Sequence, residues 1–511
     1  MLKLRDLYIG AIDARNELMQ APDHDAATEE RFVVPSSLNL EEFVAGRRWF
    51  ITGMKGTGKT AALYHLAREV RERLKMKTHF VFFKGDLSAD DLARLSKIGH
   101  STVTSAEVGD YPDADFQPAW RWFLYRQLVR VAERNSLAPS EKNGEWKRFA
   151  EWMKSPVADD EGGVSRFIPK IVKGLVSISA TPKLELSGEW NFDEGNSTKL
   201  PFGALIRKAD DLFSNLGPGG DTICVFIDEL ELRRATNKQF VRDAHLIGDL
   251  MLAIQDVNRR SRERGIGLRV YAAIRSEVLT VVSASGKEVN KPAEDFGGRI
   301  VWDPNLSDDI GHPLLQILVK RIKLAANLGE IGDGEVWRKY FPDNIDDDSS
   351  EKYVLHRSWF RPRDVIRMLN TTKELYPDST AFGARELKGA SKAYSNRSWV
   401  ELQEELSASY SAEDIQAIYK ILRGMKRSFF HSDFSLNAER LADKYSDVGA
   451  LVKARKMVGV LEDLYRVGVI GNLMQFGKTV RPRFEFRGDD GLLLDKEICV
   501  HKALRQHLSI G

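Results

Sequence analysis

Eight residues near the start of the chain constrain its fold more than any other feature: Gly53-Met54-Lys55-Gly56-Thr57-Gly58-Lys59-Thr60. They follow a short apolar run at 48–53. After them comes AALYHLAREVRERLK, in which Ala62, Leu63, Leu66, Ala67 and Val70 recur at helical spacing. The pattern predicts strand, glycine loop and helix in immediate succession. Glycines let such a loop curl until successive backbone N–H groups point inward at phosphate oxygens. The positive end of the following helix strengthens that field. In this arrangement Lys59 reaches the outer phosphates of a nucleotide and the Thr60 hydroxyl sits on Mg2+. Ala61 completes the contact set.

Further strands are expected at 78–83, 221–228, 268–274 and 299–302, with helices between them. One of these helices, DLSADDLARLSKIG, covers 86–99. Another is long and amphipathic, with Phe240, Ala244, Ile247, Met251 and Ile254 on one face. Apolar strands alternating with helices predict a mostly parallel sheet covered on both faces. The span 105–215 is too long for an ordinary crossover and reads as an insertion. It contains an aromatic helix, 119–133, whose Trp120, Trp122, Phe123 and Tyr125 form either a core stripe or a platform for stacking bases. It also contains an alternating stretch near 177–187 that suggests a hairpin.

The strand ending Ile223-Cys224-Val225-Phe226-Ile227-Asp228-Glu229 delivers two adjacent carboxylates at its C-terminal end, where ligands bind in open α/β sheets. Asp228 is the candidate for the magnesium shell. Glu229 is the candidate general base toward an attacking water. Cys224 reads as a small core residue. Arg275, closing the fourth strand, places a cation where it can sense or stabilise a triphosphate. Arg363, in the helix start Phe360-Arg361-Pro362-Arg363-Asp364, is poorly placed for the helix dipole. It therefore calls for an anionic partner, either a bound phosphate or a neighbouring acid.

The whole-chain balance, 76 Lys and Arg against 74 Asp and Glu, excludes a globally basic nucleic-acid coat. Two cysteines exclude a disulfide framework or a four-cysteine zinc site. The N-terminus has no apolar stretch like a signal peptide's, and no run of about 18 apolar residues occurs. A cytoplasmic protein that does not cross a membrane is the expectation.

The organisation expected is an ATPase core over 1–305, a helical lid over 306–395, a connector over 396–410 and a small domain over 411–511. In the last, three helices precede two strands joined at Gly477, the order of a winged helix. Residues 421–511 carry 16 Lys and Arg against 11 Asp and Glu. Lys453, Arg455 and Lys456 fall on the expected recognition helix, and Lys478, Arg481, Arg483 and Arg487 on or beside the wing. These suit either the DNA groove and its flanking phosphates or a protein partner.

Taken together the motifs resemble the additional-strand, catalytic-glutamate division of P-loop NTPases, nearest to the STAND and Orc/Cdc6-like AAA+ ATPases. IRSEV resembles the sensor of STAND proteins, with Arg275 in the arginine place and Ala273-Ile274 where two threonines would stand. RPRD resembles the lid segment known as sensor 2, with Arg363 in its place. GAIDARNE and VVPSSLNLEEFVAGRRWFITGMKGTGKTA resemble bacterial P-loop ATPases suspected of anti-phage or stress roles. The resemblance implies a Mg-ATP-hydrolysing switch that regulates an effector protein and assembles with its own copies. It leaves open a DNA-dependent loader or remodeller, or a non-hydrolysing ATP-bound scaffold. An inter-subunit arginine finger is not identifiable from the sequence, and Arg299, just before the fifth strand, is only a candidate. Leu186-Ser187-Gly188-Glu189 echoes an ABC signature but lies too far from Asp228 and in a strand-like context. Asn237-Lys238 lacks the aspartate of a guanine-specificity loop.

Overall fold

The computed structural model describes residues 2–20, 31–83, 115–155, 171–172, 175–184, 190–230, 237–302, 307–407, 409–477, 479–487 and 491–510. The helix expected at 86–99, the ABC-like echo at 186–189 and Lys478 lie outside them. The described chain forms two compact units. One comprises Leu38–Gly53 and Ala62–Arg299; the other comprises Met1–Ser37, Met54–Ala61 and Ile300–Gly511.

The first unit is built on β1 (Phe50–Gly53), β2 (Lys77–Phe82), the antiparallel strands β3 (Ile171–Val172), β4 (Leu175–Leu184) and β5 (Trp190–Pro201), then β6 (Gly219–Leu230), β7 (Ile266–Arg275) and β8 (Gly297–Arg299). The central sheet is parallel, in the order β2-β6-β7-β1-β8. A strand, β7, thus separates β1 from the strand bearing Asp228. Residues 223–228 of β6 are all buried, the continuous apolar signature of a strand covered on both faces. An aromatic ladder crosses the sheet in register, since Phe80 pairs with Phe226 and Phe226 with Tyr271. Their rings stack at 5.1 and 5.0 Å, and the Tyr271 hydroxyl donates to the Phe43 carbonyl at 2.9 Å. Cys224 lies in this core, where burial pushes its thiol up to about 12.

The last strand departs from the reading at 299–302: β8 begins at Gly297 and ends at Arg299. A side chain at Gly298 would press on Phe43 at about 3.0 Å, so glycine allows the close approach that makes the strand. Beyond Arg299 the chain leaves the ladder. Ser37 brackets Val301 through two hydrogen bonds, and the Trp302 indole donates to the Thr57 carbonyl at 2.9 Å. Arg299 itself is exposed.

The span 105–215 holds the helices Gln117–Arg134, Asn143–Lys154 and Phe202–Asn215, besides the strands β3 to β5. β4 and β5 form the expected hairpin. The aromatic stripe is core. Trp120, Trp122, Phe123 and Tyr125 are at most 1% exposed, which excludes a stacking platform. Trp120 donates to the Leu246 carbonyl on the helix Asn237–Arg264, and Tyr125 stacks on Phe213 and donates to Asp210.

In the second unit, after the short N-terminal helix Ala14–Gln20, come the helices Pro313–Ala325, Asp333–Tyr340, Ser350–Leu355, Pro362–Leu375 and Ala384–Leu406, with the two-residue strands β9 (Asn344–Ile345) and β10 (Asp348–Ser349) between them. The expected connector at 396–410 is largely the second half of the Ala384–Leu406 helix. It is held there because Trp399 packs on Tyr419 and His507, and Ser395 accepts from the His507 N–H. Next come β11 (Ser428–Phe429), β12 (Ile470–Phe476), β13 (Thr479–Arg483) and β14 (Ile498–Val500), a sheet in the order β11-β14-β12-β13. The turn at Gly477 joins β12 to β13 as expected. Four helices precede that hairpin instead of three: Ala412–Leu422, His431–Ala442, Ser446–Ala454 and Met457–Arg466.

Replacing Trp120 by Ala should destabilise the first unit by about 3–5 kcal/mol through the cavity and the lost indole bond. Trp120→Phe should lose only about 1 kcal/mol. Urea unfolding monitored by circular dichroism checks both; equal effects of the two substitutions would contradict the core assignment.

Candidate nucleotide site

Loop residues 54–58 join β1 to the helix Lys59–Leu74. Gly56 (φ +82°) and Gly58 (φ +92°) adopt the left-handed conformation that a phosphate-cradling loop requires. The Met54 carbonyl accepts from the Thr57 hydroxyl at 2.8 Å and from the Lys59 amine at 2.7 Å, which holds the loop in a tight curl. Lys59 and Thr60 open the helix, whose first turn contains no acid to cancel its positive end.

The loop's outer side meets residues from far along the chain. The Arg363 amide approaches the Gly56 carbonyl at 3.5 Å, and a Cβ on Gly56 would come within 3.3 Å of the Arg363 side chain. Arg363 is ion-paired to Glu401 at 2.8 Å, so a neighbouring acid offsets its unfavourable place at a helix start. The same Glu401 carboxylate takes Lys55 at 2.9 Å and Arg367 at 2.7 Å. Glu404 binds Lys55, Asp364 binds Arg367 and Glu405 binds Arg361. Four basic and four acidic side chains therefore gather beside the loop. The acids at 401, 404 and 405 are what the sequence reading missed. Their i, i+3, i+4 spacing puts them on one helix face, a signal masked by assigning 396–410 to a connector.

Just before this segment, Trp359 (φ +48°) and Phe360 (φ +49°) are both left-handed, a strained arrangement for bulky residues that surrounding contacts must impose. Trp359 stacks on the buried His501 at 4.0 Å and donates to the Gly468 carbonyl at 2.7 Å. Arg487 lies over the Phe360 ring at 4.9 Å. Residues flanking the C-terminal sheet thus grip the residues that lead into Arg361 and Arg363, and Arg487, just past β13, serves this grip.

At the C-terminal edge of the parallel sheet, β6 carries a bulge. Ile227 pairs with Ala272 but Leu230 with Ile274, so one extra residue is accommodated at Asp228–Glu229. Glu229 takes φ +61° there, a left-handed non-glycine residue at the tip of a core strand. Asp228 is 4% exposed, and its Oδ1 accepts from the Glu229 amide at 2.7 Å. On the adjacent strand Arg275 is in register with Gly53, the first residue of the motif, and approaches Glu277 at 3.8 Å. The edge thus gathers Gly53, Asp228, Glu229 and Arg275.

The basic C-terminal residues do not share one helix. Lys453 ends the helix Ser446–Ala454, whereas Arg455 and Lys456 are extended between it and Met457–Arg466. Arg455 breaks the helix because its guanidinium donates to the Ser409 carbonyl and lies over the Tyr410 ring at 4.3 Å. Lys453, Lys456 and Arg481 are exposed, and Arg483 is half-buried.

Burial raises the Glu401 carboxyl, but Arg363, Lys55 and Arg367 outweigh it and hold the group at about 2 against an ordinary 4.5. With the folded pKa below the unfolded one, this contribution to stability is full above about 4.5 and is lost as pH falls toward 2. Urea midpoints should therefore drop across that interval, and Glu401→Gln should flatten the drop. An unchanged acid profile would contradict the pairing.

Residues 312–403 match the family described as the FunZ-associated C-terminal helical domain, a range that takes in Arg363 and Glu401. A stretch of 239 residues, 44% of this chain, is 24% identical to the putative transposon gamma-delta 80.3 kDa protein of Escherichia coli strain K12. The chain covers 32% of that relative. The crystal structure of Cdc6p from Pyrobaculum aerophilum aligns over 95% of this chain and 96% of its own, at 10% identity and a TM-score of 0.30, too low to bear on the fold.

Proposed function

We infer that the chain is a Mg-ATP-dependent switch that hydrolyses ATP. The observation that carries this reading is the loop between β1 and the Lys59 helix, with Gly56 and Gly58 left-handed and a helix start free of acids. Residues 53–61 hold the phosphates, with Lys59 neutralising the outer ones. Magnesium takes oxygen donors, and the Thr60 hydroxyl and the Asp228 carboxylate are of that kind; the bound ion neutralises phosphate charge. Glu229 accepts the proton of the attacking water, and its strained backbone at a bulge is in keeping with a residue held for a purpose. Arg275 and Arg363 answer to the terminal phosphate.

This reading places the chain with the additional-strand, catalytic-glutamate P-loop ATPases of the STAND and Orc/Cdc6-like AAA+ kind. The strand β7 between β1 and β6 supports it. The helices and hairpin of 411–511 then form a winged helix, and residues 306–410 a lid. Through the Trp359 and Phe360 contacts, a change at Arg363 passes to the winged helix, which engages an effector protein. A role in anti-phage defence or stress response rests on the resemblance of the N-terminal stretch, as does assembly with further copies.

Phosphate release by wild type, Glu229→Gln and Lys59→Ala tests the enzyme reading. Loss of the base should slow hydrolysis by about 10²–10⁴-fold while ATP still binds, and Lys59→Ala should weaken binding itself. If wild type releases no more phosphate than either variant, with or without DNA, the hydrolase reading fails. The exposed Lys453 and Lys456 favour DNA as a second partner. A Lys453, Arg455 and Lys456 triple alanine should then lower duplex affinity and flatten its salt dependence; unaltered binding would leave the protein partner.

A further inference from the structure

The acids beside the loop have a role that follows from how their cations are shared. Lys55 touches both Glu401 and Glu404, and Arg367 touches both Glu401 and Asp364. Each of these cations keeps an acid if Glu401 withdraws. Arg363 does not: among the described residues its ion pair is to Glu401 alone, through the same oxygen that Lys55 contacts. Arg363 also packs on Gly56, the middle of the loop, with Arg361 beside it. Among the three cations on Glu401, a polyphosphate entering the loop therefore meets one that can leave without taking the others with it, and one carboxylate that must give it up. All four groups are largely removed from solvent, with side-chain exposures of 5–23%, so water screens their competition weakly.

We propose that Glu401 is a tethered anion that competes with the terminal phosphate of the nucleotide for Arg363, and so sets the preference between triphosphate and diphosphate. The proposal rests on the nucleotide reading above. A diphosphate leaves Arg363 on Glu401. A triphosphate draws Arg363 away and leaves the Glu401 carboxylate on Lys55 and Arg367, so that the Ala384–Leu406 helix loses one of its ties to the start of the Pro362–Leu375 helix. The wild-type carboxylate thereby lowers triphosphate affinity and makes the helix responsive to the third phosphate. Glu401 is a specificity-determining residue in this scheme and not a catalytic one.

Calorimetric titration of the full chain with Mg-ADP and with the Mg complex of the β,γ-imido analogue of ATP tests it. Glu401→Gln should tighten the analogue about tenfold while ADP changes less than about threefold, the size expected from removing one competing charge near the site. Adding Arg363→Ala to Glu401→Gln should abolish the gain. Glu401→Asp, which keeps the charge but reaches less far, should move the same ratio in the same direction by a smaller factor, and serves if the Gln variant does not fold. The proposal is overturned if both nucleotides shift together, if the analogue binds more weakly, or if the gain survives without Arg363. Binding of neither nucleotide by wild type would instead overturn the nucleotide reading, and this one with it.

Discussion

A carboxylate shared by three cations is costly to bury and costly to vacate, and much of the second unit is arranged around one. Glu401 spans the middle of the phosphate loop and the start of the Pro362–Leu375 helix, so the loop's outer wall comes from residues some 340 positions later. Removing Glu401 would leave the largely buried Arg363 without its acid, a larger loss than the interaction contributes when intact. The loop, the helices Pro362–Leu375 and Ala384–Leu406 and the C-terminal sheet are therefore constrained in common. The sheet side adds its own constraint by clamping Trp359 against His501. Strain in the Trp359–Phe360 pair persists only while those contacts hold.

The parallel sheet solves a different problem. Its interior is apolar and closed by the Phe80–Phe226–Tyr271 ladder. Polar chemistry is confined to the C-terminal strand ends, where backbone groups are no longer fully occupied by the ladder. The bulge at Asp228–Glu229 turns this boundary to use. Asp228 stays in register with Phe82 of β2 while the extra residue shifts the pairing with β7.

Features governed by local chemistry were legible in the sequence. The loop of 53–60, the carboxylate pair at 228–229 and the arginine at 275 each sit where short-range pattern put them, and the strands agree to within a residue or two, apart from β8. What was not legible depends on distant contacts. The Glu404 that binds Lys55 is 349 residues away, a pairing no window can register. Helical spacing alone cannot tell a core stripe from a stacking platform, so the fate of Trp120 and Trp122 required knowledge of what packs against them. The interruption at Arg455 contains neither glycine nor proline. It is tertiary override, imposed by Ser409 and Tyr410. β8 slipped because Gly297 and Gly298 look like a strand's end by propensity and serve as its body through close packing.

The discontinuity of the second unit has a bearing on biosynthesis. Apart from the eight residues Met54–Ala61, the first unit is continuous from Leu38 to Arg299. It can begin folding on the ribosome as soon as that length has emerged. Glu401 is made some hundred residues later, roughly 5–20 s at ordinary translation rates. During that interval the nascent chain carries the complete 53–60 loop sequence without the acid that later pairs with its Lys55. The ion pairs that hold Lys55 form only once the Ala384–Leu406 helix has been made.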